Sequence, residues 1–429
     1  MTLPTVVVPR EAAERIRHAL SRGGGVSAHR SDADDLYVVV GVRDGRLAML
    51  PATVDRAFAA LRGADLDASG QWTRADPEVH VTHQHVLFRA GTAVPYATFV
   101  KMCPVVVDPG NTAGLLVTHV PEIADDLRSL GVAEFAGWYV TRQGVTALAV
   151  QVEPDAWGTA QLCDTWPLDR LAAVSVLVIG LGSIGGAIVD DLAAAGVGTI
   201  GLLDRDRVWW HNLVRHRLGR ESVGRLKVDA LHDRLRSRWP DTAVRRHALD
   251  VVEDADAVRA FVGDYAAIVC AADGVAPRRV VSHLARRAGV PAVLACVLED
   301  GAVGEVLRLL PGPGDGCLLC RRAKLLRDGA MDVETGLELG YGTGSAHRPM
   351  TAVAPDLWLV ASLAAKTVLA TLIESRTGEW GQRLPGEHAV VGLRPVPGLA
   401  APFDVGRVGE IRWHPAVAPR PDCPTCAPA

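Results

Sequence analysis

The chain has 429 residues, 49% hydrophobic and 22% charged, with a formal net charge of −4 and a sequence pI near 6.4. That composition supports a packed core of one or two domains, excludes wholesale disorder, and argues against a nucleic-acid surface as the main business. The first residues, MTLPTVVVPREAAERIRHAL, lack the order of a secretory signal, and no apolar run reaches the roughly 18 residues of a membrane span, so the expected location is cytoplasmic.

To about Pro154 short strands and helices alternate, as in an α+β domain. TVVVP reads as a strand, and EAAERIRHALSR as a helix with Ala13, Ile16, Ala19 and Leu20 on one side. LYVVVGVRDGRLAML reads as a hairpin around Arg43-Asp44-Gly45, and TVDRAFAALRG as a second helix. VHVTHQHVLFRAGTAV alternates like a strand, which would set His80, His83 and His85 at partly exposed positions. A metal site among those histidines lacks an acidic partner at a suitable spacing. IADDLRSLG follows as a helix and FAGWYVTRQGVTALAVQV as a hairpin. The segment Asp155–Arg170 breaks the periodicity and reads as a linker.

From Leu171 to the end, residues 171–429, the pattern becomes regular βα alternation. VSVLVIG, TIGLLD, AVRRHALD, AAIVCAAD and PAVLACVLED are near-continuous apolar strands, and the helices between them are amphipathic. This is the signature of a Rossmann-like, mostly parallel α/β sheet with helices on both faces. A Gly- and charge-rich stretch after Cys320 reads as a loop to about Ala354, followed by the helix DLWLVASLAAKTVLATLIE and the short strands HAVVGL and VGEIRW.

Chemistry concentrates early in this half. Gly180, Gly182 and Gly185 form G-x-G-x-x-G between a strand and a helix, so that backbone N–H groups can face a phosphate. Asp204 ends the next strand, where a carboxylate can take ribose hydroxyls. These residues alone allow NAD, FAD or ATP. Arg215 and Lys227 suit an enzyme that stabilises charge on a triphosphate, and Asp273, ending AAIVCAAD, suits Mg²⁺. Plainer readings compete: solvated helix charges for Arg215 and Lys227, caps for Asp206 and Asn212, and a turn at Asp273-Gly274.

The order GLGSIG, LLDRDRV, NLVR, VGRLKV and CAAD, then CLLC and a final CPTC, resembles the ThiF/MoeB family of adenylating enzymes, relatives of ubiquitin-activating enzymes, from about Leu171 to Cys426. The resemblance implies use of ATP and Mg²⁺ to adenylate the C-terminal carboxylate of a β-grasp carrier protein or a precursor peptide, usually by a homodimer. By matching position it assigns Asp204 to ribose, Asn212, Arg215 and Lys227 to the phosphates, and Asp273 to Mg²⁺. Two departures stand out: His216 where the family often has Gln, and Gly274 where it usually has Asn. No partner-site arginine is found at a convincing spacing near Arg142 or Arg170.

Cys317-x-x-Cys320 and Cys423-x-x-Cys426 are metal-knuckle pairs, and four thiolates suit a closed, structural Zn²⁺ site. The stretch Arg321–Ala354, where relatives carry a thioester-forming cysteine, has none, so the acyl-adenylate is the expected product. The N-terminal part reads either as a substrate clamp or as a degenerate JAB-like peptidase domain without its metal-binding pattern. Competing functions are an NAD(P)- or FAD-dependent oxidoreductase, which leaves Arg215, Lys227, Asp273 and the CxxC pairs unexplained, and a non-catalytic peptide-binding scaffold of a peptide-modification complex, which predicts eroded ATP residues.

Overall fold

The computed structural model describes residues 4–31, 35–54, 58, 67–89, 92–104, 114–155, 158–330, 352–377 and 382–427. The chain divides into two compact units, Met1–Trp157 and Gly158–Ala429.

Among the described residues the first unit contains eight strands: β1 Thr5–Val8, β2 Gly23–Ser31, β3 Leu36–Asp44, β4 Leu50–Pro51, β5 Asp67–Arg74, β6 Gly114–His119, β7 Phe135–Val140 and β8 Val145–Val152. Their order is β1-β8-β7-β6-β5-β2-β3-β4, and β1 also pairs in parallel with β3, which closes the sheet on itself. Among the described residues four helices accompany it: α1 Arg10–Arg17, α2 Pro77–Leu87, α3 Tyr96–Met102 and α4 Asp125–Ser129. The apolar side of α1 packs on one face with Val6, Val39, Trp72 and Val117, while α2 and α3 cover the other through Val79, Val86 and Phe99. The TVDRAFAALRG helix falls largely outside the described residues.

The strand expected over VHVTHQHV is helix α2 instead. Its start signal is Pro77 at the first helical position, and Val79, His83 and Val86 fall on one helical face. Val79-His80-Val81 opens with the alternation of a strand, and burial of Val79, His83 and Val86 against the sheet decides for the helix. His80 and His83 are buried, not half-exposed, and their ring nitrogens are bonded to protein. Nδ1 of His80 donates to the Ala133 carbonyl at 2.6 Å, and Nε2 of His83 to the Leu148 carbonyl at 2.9 Å.

This burial predicts acid sensitivity. Desolvation pulls the pKa of His80 from 6.5 down to about 4, against the Ala133 carbonyl and with the help of nearby His83 and His119. Between those values the unfolded ring is protonated and the folded ring is not. The contribution is therefore full above pH 6.5 and lost as the pH falls through that window, by about 3 kcal/mol at its lower end. Thermal melts of the full chain should give a lower midpoint at acid pH for this unit, and His80→Gln should shrink the difference. An undiminished difference in the variant would rule out His80 as its source.

The second unit opens with a 3₁₀ turn at Gly158–Leu162 and helix α5, Leu168–Ala172. Much of the expected linker is therefore packed structure: Trp166 donates its indole N–H to the Ala195 carbonyl at 2.9 Å. The strands are β9 Ser175–Ile179, β10 Thr199–Leu203, β11 Ala243–His247, β12 Ala267–Cys270, β13 Ala292–Leu298, β14 Val303–Leu309, β15 His388–Gly392 and β16 Ile411–His414, in the order β11-β10-β9-β12-β13-β14-β15-β16. The first five in that order are parallel and the last three join antiparallel. Helices α6 Ser183–Ala194, α7 Lys227–Arg238 and α11 Ala354–Thr377 fill one side of the sheet; α8 Ala255–Phe261, α9 Val275–Ala288 and the first residue of α10 (Leu318–Arg327) pack on the other. The fold is Rossmann-like. The chain reverses its direction of travel across the sheet between β9 and β12, so the crevice for a ligand lies at their C-terminal ends.

Two further expectations change. The stretch after Cys320 begins as helix α10, not as loop, and residues 331–351 lie outside the described residues. Ala354–Glu374 is long and apolar enough to cross a membrane by length and composition, contrary to the reading that no run reaches that length. Its side chains are mostly buried in the core, with Val360, Ala361, Ala364 and Val368 packed beside α6, which is the behaviour of a core helix.

Candidate functional site

The glycine loop is built by close approach. Gly180 has φ +81°, and a Cβ there would lie 2.4 Å from the Ala272 amide nitrogen. A Cβ on Gly185 would lie 1.8 Å from the Gly180 carbonyl, so helix and strand can meet only at glycine. Gly182 has nothing within 4 Å of such an atom, and as N-cap of α6 it provides no side-chain cap. The first amides of α6 are thus left for an anion.

Asp204, at the end of β10, organises the loop. Its Oδ2 accepts the Leu181 N–H at 2.7 Å and its Oδ1 the Asp206 N–H at 2.7 Å. Lys227 begins α7 and is nearly buried; its Nζ lies 2.9 Å from Asp206 Oδ2 and 3.5 Å from Asp204 Oδ2. Burial alone would lower the Lys227 pKa, but Asp204 and Asp206 more than offset it and the net shift is upward. The ammonium therefore stays charged. Asp273, three residues past β12, is exposed, yet the protein crowded around it raises its pKa against the pull of Arg215, Lys227 and Arg278. As an exposed carboxylate at the strand end, Asp273 offers the oxygen ligand that a hard divalent cation such as Mg²⁺ takes.

Gly180, Gly182, Gly185, Asp204, Asp206, Lys227 and Asp273 are thus gathered at the crevice, and half-buried Arg215 is close enough to act on Asp273. Asn212 lies in the turn just before Arg215. Its Oδ1 accepts the Trp209 N–H at 2.8 Å, closing the turn that carries Arg215. Two residues went unread in the sequence. Arg278 of α9 donates to the Gly274 carbonyl at 2.8 Å and bears on Asp273, with no motif to mark it. His216 was noted only as a departure from Gln, although both side chains offer one donor and one acceptor.

The second constellation is the cysteines. Cys317 and Cys320 flank the start of α10, and Cys423 and Cys426 come from the tail. Their sulfurs lie 3.9 Å (317–320), 3.5 Å (317–423) and 3.8 Å (320–426) apart. Four thiolates at the usual Zn–S distance of about 2.3 Å define a tetrahedron with edges of about 3.8 Å, so the set fits zinc. Among the described residues it is the only cluster of three or more potential metal ligands.

Comparison with known proteins yields one family model, described as the ThiF family, which matches residues 151–385. The sulfur carrier protein ThiS adenylyltransferase of Bacillus subtilis (strain 168) is 34% identical over 155 residues, covering 35% of this chain and 44% of that protein. The tRNA threonylcarbamoyladenosine dehydratase of Escherichia coli (strain K12) is 32% identical over 159 residues, covering 35% of this chain and 57% of that one. The chain thus spans about half the length of these curated relatives. Among solved structures, E. coli MccB with ATP is similar at 22% identity with a TM-score of 0.44, covering 61% of this chain and 68% of that one.

Proposed function

The chain belongs to the ThiF family, and we propose that it is an ATP-dependent adenylyltransferase that activates a carboxylate as its acyl-adenylate and releases pyrophosphate. The observation that carries this reading is Lys227: a nearly buried cation, kept charged by Asp204 and Asp206, at the mouth of an uncapped glycine loop. Hydride transfer has no evident use for it.

In this reading Asp204 holds the ribose, and the amides of α6 with Lys227 and Arg215 hold the phosphates. A substrate carboxylate oxygen attacks the α-phosphorus, the bond to the bridging oxygen of the β-phosphate breaks, and pyrophosphate leaves with that electron pair. Lys227 and Arg215 offset the charge that grows on the phosphoryl oxygens and the leaving group. Mg²⁺, held by Asp273, would supply further positive charge to the phosphates. Asn212 contributes by fixing the turn of Arg215.

The substrate we propose is the C-terminal carboxylate of a β-grasp carrier protein or of a precursor peptide, with substrate choice resting in the N-terminal unit. The enzyme works in the cytoplasm as a homodimer and hands the acyl-adenylate to an external nucleophile. Exchange of radiolabelled pyrophosphate into ATP, run with candidate carboxylate substrates, tests this reading. Exchange that depends on the substrate is expected. A protein that binds NAD but neither binds ATP nor exchanges pyrophosphate would refute it.

A further inference from the structure

His216 is buried, and its ring touches three separate pieces of the crevice. Nε2 lies 2.8 Å from the Leu181 carbonyl, in the glycine loop. A carbonyl only accepts, so Nε2 carries the hydrogen. Nδ1 lies 3.2 Å from the Leu218 N–H and accepts it, which fixes a neutral ring in one tautomer. The third contact is with the first turn of α6: a Cβ on Gly186 would stand 3.1 Å from His216 Cε1.

The Leu181 residue is thereby held from both sides. Its N–H is bound by Asp204 at 2.7 Å and its carbonyl by His216. It sits between Gly180, with φ +81°, and Gly182, the uncapped start of α6, so its orientation sets where the phosphate-facing amides point. Asp204 in turn pairs with Lys227, and His216 follows Arg215 in the chain. One continuous path therefore runs from Lys227 through Asp204, Leu181 and His216 to Arg215, joining the two cations to the loop between them.

We propose that His216 is a positioning residue: through its paired hydrogen bonds it fixes the glycine loop against the Arg215 turn, and so sets affinity for ATP. This rests on the ATP reading above. The requirement is one donor and one acceptor on a single buried side chain. Gln meets it, and an apolar isostere does not.

The test compares His216→Leu, His216→Gln and Gly186→Ala with the wild-type protein, measuring the Kd for ATP by calorimetry, KM and kcat in pyrophosphate exchange, and the thermal midpoint. His216→Leu should raise Kd and KM for ATP by roughly tenfold or more, as expected for one lost buried hydrogen-bond pair, with a much smaller change in kcat. His216→Gln should recover most of the affinity. Gly186→Ala keeps His216 but puts a methyl 3.1 Å from its Cε1, so the ring must shift by a few tenths of an ångström and KM for ATP should rise, which keeps the idea testable if His216→Leu fails to fold. Wild-type ATP affinity in Gly186→Ala, or equal losses in His216→Gln and His216→Leu, would overturn the proposal while leaving the ATP reading intact. A wild-type protein that binds no ATP would overturn both.

Discussion

Replacing Lys227 with alanine should slow pyrophosphate exchange by roughly 100- to 1,000-fold, the usual cost of removing one preorganised donor from a charge-developing centre. The structure gives two reasons for so large an effect. The ammonium is nearly buried, so its interaction with a phosphate is weakly screened. It also neutralises Asp204 and Asp206, at 3.5 and 2.9 Å, and without it the crevice presents these carboxylates to an anionic ligand. The defect should therefore fall on both KM for ATP and kcat. Asp206→Asn leaves the Asp204 partner in place, and its loss should be nearer tenfold. Lys227→Arg should recover only part of the rate, because a planar fork cannot occupy the place of a compact ammonium between two carboxylates. The thermal midpoint of Lys227→Ala separates chemistry from folding. Asp204 loses a buried partner, so some destabilisation is expected, but the exchange assay is run below that midpoint. A rate within about threefold of wild type would remove Lys227 from the reaction.

Why this site could be read from sequence, and its neighbours could not, follows from the kind of constraint each residue obeys. The positive φ of Gly180 and the contact of Gly185 with the Gly180 carbonyl are set within the loop, and Asp204 answers to the end of an adjacent parallel strand, so motif spacing nearly specifies their positions. The βα alternation was legible for the same reason: its apolar strands are buried on both faces. His216 and Arg278 act through contacts between segments, and a sequence shows a hydrogen bond between a ring and a loop carbonyl only as a residue type. The closed sheet of the first unit was hidden likewise. β2 is a Gly-rich strand, and β1 joins β8 across most of the unit's length. The histidines of α2 lie in a run with two spacings: Val79-His80-Val81 alternates like a strand, while Val79, His83 and Val86 keep the helical period. Pro77 was the local signal that distinguished them.

The cysteine pairs lead to the second large effect. Cys423→Ser/Cys426→Ser should abolish stoichiometric zinc and release the C-terminal tail. Cys317 and Cys423 stand 106 positions apart, so a metal between them closes a long loop, and by the chain-entropy argument for cross-links such a closure is worth about 4–5 kcal/mol. For a unit of this size that corresponds to a fall in thermal midpoint of roughly 10 °C or more. Arg321 and the Gly316 N–H still hold the Pro415 and Val417 carbonyls, but beyond Arg420 the contacts that remain are weak substitutes. Thr425 meets His283 at 3.2 Å, and the Pro424 and Ala427 carbonyls meet an exposed Arg287 at 3.2 and 3.1 Å. Helix α10 itself is anchored independently, because Arg322 forms a buried bidentate pair with Glu305 of β14 at 3.0 and 2.5 Å. Loss of metal should therefore expose the tail beyond Arg420 to a broad-specificity protease such as proteinase K before α10 is cut. The β14 strand runs antiparallel to β13, so Cys317 follows it out of the sheet at the edge opposite the glycine loop. Below the new midpoint, pyrophosphate exchange per folded molecule should consequently stay near wild type. Zinc retained at one per chain would eliminate the four-thiolate site, and an exchange defect as deep as that of Lys227→Ala in the still-folded variant would show that the metal serves the reaction rather than the fold.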